Sequence, residues 1–123
     1  KTSGNKPGEK IQAEKVAFIT QKLDLTVEEA QAFWPVYNAY EKKLGKIQRR
    51  KNNTLDNLNT EKAANAKIKQ VCKDYVDTYS SISELRDTYH EKFMQILPPE
   101  KVFRLYQSEI AFKRHLLQKI QQK

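Results

Sequence analysis

The sequence predicts an all-α fold of four helices, and three observations carry that prediction. Glycine and proline number only three and four in 123 residues, and Gly4, Gly8 and Pro7 lie within the first eight. The Asn-Gly and Asp-Gly pairs that mark two-residue hairpins are missing from the sequence. The apolar residues of the body instead recur at steps of three and four, the period of a helix face.

Residues 1–8 are polar and are expected as a disordered N-terminal segment, ahead of a single helical domain over 9–123. A first helix is expected from Glu9 to Leu23, with Ile11, Val16, Ile19 and Leu23 on one face. Thr26 and Glu29 then form an S/T-x-x-E capping box, flanked by Leu25 and Ala30. It opens a second helix whose stripe of Phe33, Tyr37, Tyr40, Leu44 and Ile47 steps by 4, 3, 4 and 3. Pro35, with no N–H and a ring that crowds the carbonyl four residues back, is expected to bend it.

The Asn- and Thr-rich stretch from Lys51 to Thr60 reads as a loop or a frayed short helix holding Leu55 and Leu58, with Asn59 or Thr60 capping the next helix. That third helix is expected to be long, from Glu61 to Leu97, seamed by Ile68, Val71, Tyr75, Tyr79, Ile82, Leu85, Tyr89, Phe93 and Ile96. At 1.5 Å per residue it would run ~50 Å. Pro98-Pro99 ends it, and Pro99 suits the first turn of a last helix that carries Val102, Leu105, Phe112 and Leu116. Pairing the second helix antiparallel to the third hides both seams and gives an elongated helical hairpin. Such a body leaves apolar surface uncovered, which points to a homodimer or a concave binding surface.

Composition narrows the function classes. Lys and Arg outnumber Asp and Glu by 23 to 15, a net charge of +8. No apolar run nears the ~18 residues a membrane span needs, so no integral membrane segment is expected. The one cysteine, Cys72, stands beside the seam residue Val71 and is expected to be a small buried apolar group. No nucleophile elbow, phosphate loop or supported Ser/His/Asp order is present, so neither catalytic residues nor a cofactor are expected. His90 and Met94 share a helix face, but a first-row metal needs three or four donors, and no metal site is expected. The basic charge suits nucleic acid, yet no helix-turn-helix, RNP or zinc-finger pattern accompanies it, so no nucleic-acid partner is expected.

The sharpest charge feature is the run Lys42, Lys43, Lys46, Arg49, Arg50 and Lys51, six cations in ten residues without an acid. On a helix Lys42, Lys46, Arg49 and Arg50 lie near one face, beside the seam of Tyr40, Leu44 and Ile47, and Lys43, Lys51 and Tyr37 join them as candidate client contacts. The arrangement would capture acidic or unfolded clients by charge and then grip them by apolar contact. A plain solvated face is the competing reading.

Two segments occupy equivalent places, each opening a helix: Leu25-Thr26 with Glu29 and Gln31, and Leu97-Pro98-Pro99-Glu100 followed by Lys101. With the long helix between them, they resemble the paired LTxxQ motifs of the Spy/CpxP family of periplasmic proteins. The resemblance spans Leu23 to Ile120. The first segment departs from LTxxQ in having Glu29 where Gln is expected, and the second has Pro98 for Thr and Lys101 for Gln. The run from Glu29 to Tyr37, with Leu105-Tyr106-Gln107 and Phe112-Lys113-Arg114, is similar to a less characterised branch described as stress- or metal-sensor-like. The resemblance implies a cradle-like dimer and a periplasmic location; a signal peptide, if one preceded the polar segment, is expected to be removed or to lie outside this sequence. For function it implies ATP-independent chaperone activity toward unfolded or envelope protein clients in the stress response. The alternative it implies is a regulatory module that binds the extracytoplasmic part of a sensor protein in the membrane.

Overall fold

In a computed structural model of the chain, residues 7–121 are described, and they form four helices with no strand among them. These are α1 (Pro7–Leu23), α2 (Val27–Asp56), α3 (Asn65–Ile96) and α4 (Pro99–Gln121). The all-α expectation holds, with small shifts at the ends. Pro7, which lacks the N–H that a first turn cannot use, opens α1 two residues ahead of Glu9. The part of the disordered leader expected over residues 1–6 lies outside the described residues.

The largest shift is at the end of α2, which continues through Lys51-Asn52-Asn53-Thr54 to Asp56 where a loop or frayed helix was the expectation. Thr54 Oγ1 donates back to the Arg50 carbonyl at 2.7 Å, so its hydroxyl is satisfied within the helix instead of drawing the backbone out of it. The turn after α2 is built by Asn59. Its side-chain oxygen accepts from the Glu61 N–H at 3.0 Å, and its carbonyl accepts from Lys62 and Ala63. Asn59 therefore closes the connection rather than capping α3, which starts only at Asn65 instead of Glu61.

Two compact units are present. One joins the segment up to Gln31 with that from Ile96; the other runs from Ala32 to Gln95. In the first, α1 and α4 pack antiparallel: Glu14 meets Lys119 at 2.9 Å and the Phe18 and Phe112 rings are 5.6 Å apart. Ile19, Leu23, Leu97, Val102, Leu105 and Phe112 are buried there. Buried Ser108 directs its hydroxyl to the Arg104 carbonyl, and among the described residues no buried polar side chain is orphaned.

The second unit is held by aromatic rings. Phe33, Tyr37 and Tyr40 of α2 meet Phe93 of α3 at 5.7, 6.1 and 6.0 Å, and Tyr40 meets Tyr89 at 5.4 Å. Rising numbers on α2 thus meet falling numbers on α3, which is the antiparallel pairing that the two seams predict. Pro35 stands inside α2 with its ring exposed, on the side away from Phe33 and Tyr37.

Candidate functional site

The basic run lies wholly on α2, and the structure divides it. Lys46, Arg49, Arg50, Asn53, Thr54 and Asn57 follow one another at helical spacing along one side of a groove of about 600 Å³. Lys67 and Val71, one turn apart on α3, line the other side, and Leu58 from the connection completes it. Four cations, two amides and a hydroxyl surround a small apolar floor, and no carboxylate of the described residues lines it. An anionic group entering here meets donors from both helices.

The other cations of the run are placed elsewhere. Lys43 Nζ stands 5.3 Å from the centre of the Tyr89 ring, and Lys51 Nζ 4.9 Å from that of Tyr79. Each rests on the face of a tyrosine of α3, where the negative face of the ring holds an ammonium. Lys42 is exposed and lines no part of the groove.

The expected apolar partners need correction. Tyr37 is fully buried and Tyr40 nearly so, both in the ring cluster around Phe93, so neither is open to a client. Leu44 and Ile47 are half-buried. The apolar floor comes instead from Leu58, expected in the loop or frayed helix, and Val71, expected on the seam of α3, two residues that the sequence does not bring together. For the α2 side of the groove the signal was there in Asn53 and Asn57, which continue the 46, 49/50 spacing by one turn each.

Arg50 also edges a smaller cavity of about 290 Å³ with Asp74, Asp77 and Ser81. Those acids have partners on their own helix: Asp74 accepts from Gln70 Nε2 at 2.8 Å, and Asp77 pairs with Lys73. Further along α3, the Tyr75 and Tyr79 hydroxyls lie 3.0 Å apart, and this hydrogen bond raises the pKa of Tyr75 above the ordinary phenol value.

Cys72 is exposed, not buried. Val71 takes the inward position, and the next residue on a helix is turned ~100° away from it. His90 is half-buried and Met94 is 40% exposed, while His115 packs on Phe18 and Phe112 with ring centres 6.2 Å from each. Among the described residues, no group of three or more His, Cys, Asp or Glu is gathered where a metal could be held.

The two motif-like segments meet in the first unit. Thr26 and Glu29 complete the capping box: the Thr26 N–H donates to Glu29 Oε1 at 2.9 Å and the Glu29 N–H to Thr26 Oγ1 at 3.0 Å. Pro98 precedes α4, with its carbonyl accepting from Lys101 and Val102, and Pro99 takes the first helical position. Lys101 Nζ then reaches across to Glu29 Oε1 at 2.5 Å and to the Asp24 carbonyl at 2.8 Å. Asp24 has φ of 51°, the left-handed conformation that ends a helix and that Asp tolerates better than most residues. The Lys101 ammonium, together with the Thr26 N–H, holds the Glu29 carboxyl below the ordinary carboxylate value. Leu97 is buried, Leu25 is half-buried, and Gln31, Pro98, Pro99 and Glu100 are exposed. Glu100 is held by Arg104 at 2.9 Å.

No family model, curated protein or solved structure matches the chain. Among the described residues no helix is long and apolar enough to cross a membrane.

Proposed function

We propose that this chain is a binding protein that captures acidic, unfolded segments of other proteins in its cationic groove. The observation that carries the reading is the acid-free lining of Lys46, Arg49, Arg50 and Lys67 over Leu58 and Val71. Arginine offers a carboxylate two parallel donors, and Asn53 and Asn57 supply amides that bond a backbone of any sequence. A site built this way selects for charge and exposed backbone rather than for one side chain. That selectivity suits a chaperone whose clients differ.

The net charge of +8 steers acidic clients to the groove, and the small apolar floor then slows their release. The reading agrees with the Spy/CpxP resemblance, and with it we place the protein in the periplasm as an ATP-independent chaperone of envelope stress, working without catalysis or cofactor.

The test is aggregation of two unrelated, chemically unfolded clients, with and without equimolar chain, at low and moderate salt. Protection of both is expected, weakening as salt shortens the reach of charge to ~8 Å. The variant Lys46→Glu/Arg49→Glu/Arg50→Glu should lose protection while keeping its helical spectrum. Protection that survives this reversal refutes the groove as the capture site. If the parent chain protects neither client, the chaperone reading fails, and the regulatory one, a single sensor protein bound in fixed stoichiometry, takes its place.

A further inference from the structure

Helix α4 carries two apolar faces. One holds Leu105, Ser108 and Phe112, all buried. On the opposite side stand Phe103, Ile110 and Leu117, seven residues apart, and they are 63%, 61% and 53% exposed. Ile120, 68% exposed, lies one turn beyond Leu117, about 60° to the side of the row. Seven residues are two helical turns to within about 20°, so the three stay in line along the helix. Isolated exposed apolar residues are ordinary, but a straight row of them opposite a packed face is not accounted for by folding.

Cations stand beside the row. Arg114 and Lys113, both exposed, flank the row on its two sides. Of the five Lys and Arg on α4, Lys101, Arg104 and Lys119 pair with Glu29, Glu100 and Glu14, while Lys113 and Arg114 beside the row take no part in these pairs. Next to Ile110 lies a groove of about 500 Å³ whose charged lining is Lys22, Arg104 and Arg114, with no carboxylate of the described residues. Ile110 and Ala111 form its apolar wall.

We infer that α4 docks on an anionic lipid surface. The stripe of Phe103, Ile110 and Leu117 enters the headgroup boundary, and Arg104, Lys113, Arg114 and Lys22 receive lipid phosphates. A helix with an apolar row flanked by cations lies in the plane of such an interface, its apolar side ~5–10 Å deep. The opposite face of α4 keeps its packing in the first unit, so docking needs no unfolding. A second copy of the chain is a poorer occupant. Four side chains of this size, about 60% exposed, offer roughly 400 Å², whereas a stable pair buries about 800 Å² on each partner.

The experiment is sedimentation of the full chain with vesicles of phosphatidylcholine alone and with one third phosphatidylglycerol. A Phe103→Trp variant reports insertion by a blue shift of its emission against the parent chain. Binding to the phosphatidylglycerol vesicles only, with the blue shift, is expected. Ile110→Ser/Leu117→Ser should weaken it at least about tenfold, and Lys113→Gln/Arg114→Gln by roughly 30-fold, both with unchanged helical spectra. Inorganic phosphate at the same headgroup concentration should not displace the vesicles.

Several outcomes overturn the inference. If vesicle binding persists in the serine pair, or the tryptophan shows no shift, the adsorption is to charge alone and the stripe has no part in it. Displacement by inorganic phosphate assigns the groove to a free anion. Absence of binding to either vesicle, with poly-glutamate bound and lost in the serine pair, assigns the stripe to an acidic protein. A dimer that the serine pair dissociates assigns it to a second copy.

Discussion

Phe93→Ala tests whether the ring cluster holds the second unit together. Phe93 is 2% exposed and lies within 5.7 to 6.3 Å of four other rings: Phe33, Tyr37, Tyr40 and Tyr89. Removing a buried phenyl ring costs ~3–5 kcal/mol, through lost transfer energy and the cavity left behind. With four ring partners lost at once, a cost near 4 kcal/mol is expected, about a third of the stability of an ordinary domain. Trp34, the only tryptophan, packs against Phe33 and Tyr37 at 4.9 and 5.9 Å, so its emission follows this unit alone. In urea, with a slope of ~1–3 kcal/mol per molar, the midpoint should fall by about 2 M, and the melting temperature by roughly 12–20 °C. Phe103→Ala is the control: at 63% exposure it should shift stability by no more than about 0.5 kcal/mol. Equal shifts in the two variants, or a Phe93→Ala cost below about 1 kcal/mol, would refute the ring cluster as the core.

Three further outcomes are expected from the geometry. Glu29 is held below its ordinary value of 4.5, so its pairing stabilises the fold above that pH and is lost as pH falls through the lowered value; Lys101→Met should therefore flatten the acid limb of the stability profile measured by circular dichroism, and an unchanged limb would count against the bridge. Gly45→Ala should raise stability by ~0.5–1 kcal/mol through helix propensity, because the new methyl meets only the flexible Arg49 Nη1 tip at 3.3 Å; a thermal melt that falls instead would mean the Arg49 guanidinium is fixed in the groove. Thr26→Ala removes one of the two capping-box bonds and should cost about 1 kcal/mol, read from urea unfolding; no loss would mean that Lys101 alone secures the start of α2.

The elements were legible in the sequence because helix period and capping are local. Thr26 with Glu29 fixed the start of α2, Pro99 the start of α4, and the aromatic steps from Phe33 to Tyr40 the buried face of α2. What the sequence left open or misplaced depends on the third dimension. Tyr37 and Tyr40 have the spacing of a groove wall and of a core stripe alike, and only Phe93, arriving from a distant part of the chain, decides between them. Cys72 and Val71 are both small and apolar, and a rotation of ~100° separates exposure from burial. The groove lining was hidden for a different reason: Asn and Thr favour turns, so the stretch after Lys51 reads as loop until Thr54 is seen to satisfy its hydroxyl on the Arg50 carbonyl.

The same third dimension gives the paired motifs a physical meaning that their spelling does not convey. Each segment, taken alone, is only a helix start, and helix starts share residue types for local reasons. Lys101 makes them one device. Its ammonium bonds the carbonyl of Asp24, where α1 ends, and the carboxylate of Glu29, which caps α2, while it stands itself in the first turn of α4. Three helix ends thus meet at one cation, at termini whose backbone groups helix geometry leaves without an intrahelical partner. Glu29 and Lys101, one from each segment, carry charges of opposite sign that meet at 2.5 Å. An amide pair would be indifferent to pH, whereas this pair loses its attraction when Glu29 takes up a proton. The pair therefore makes the junction of α1, α2 and α4 a part of the fold whose stability answers to acid, as the Glu14–Lys119 pair does between α1 and α4, where the Lys119 hydrogen bond holds the Glu14 carboxyl low as well.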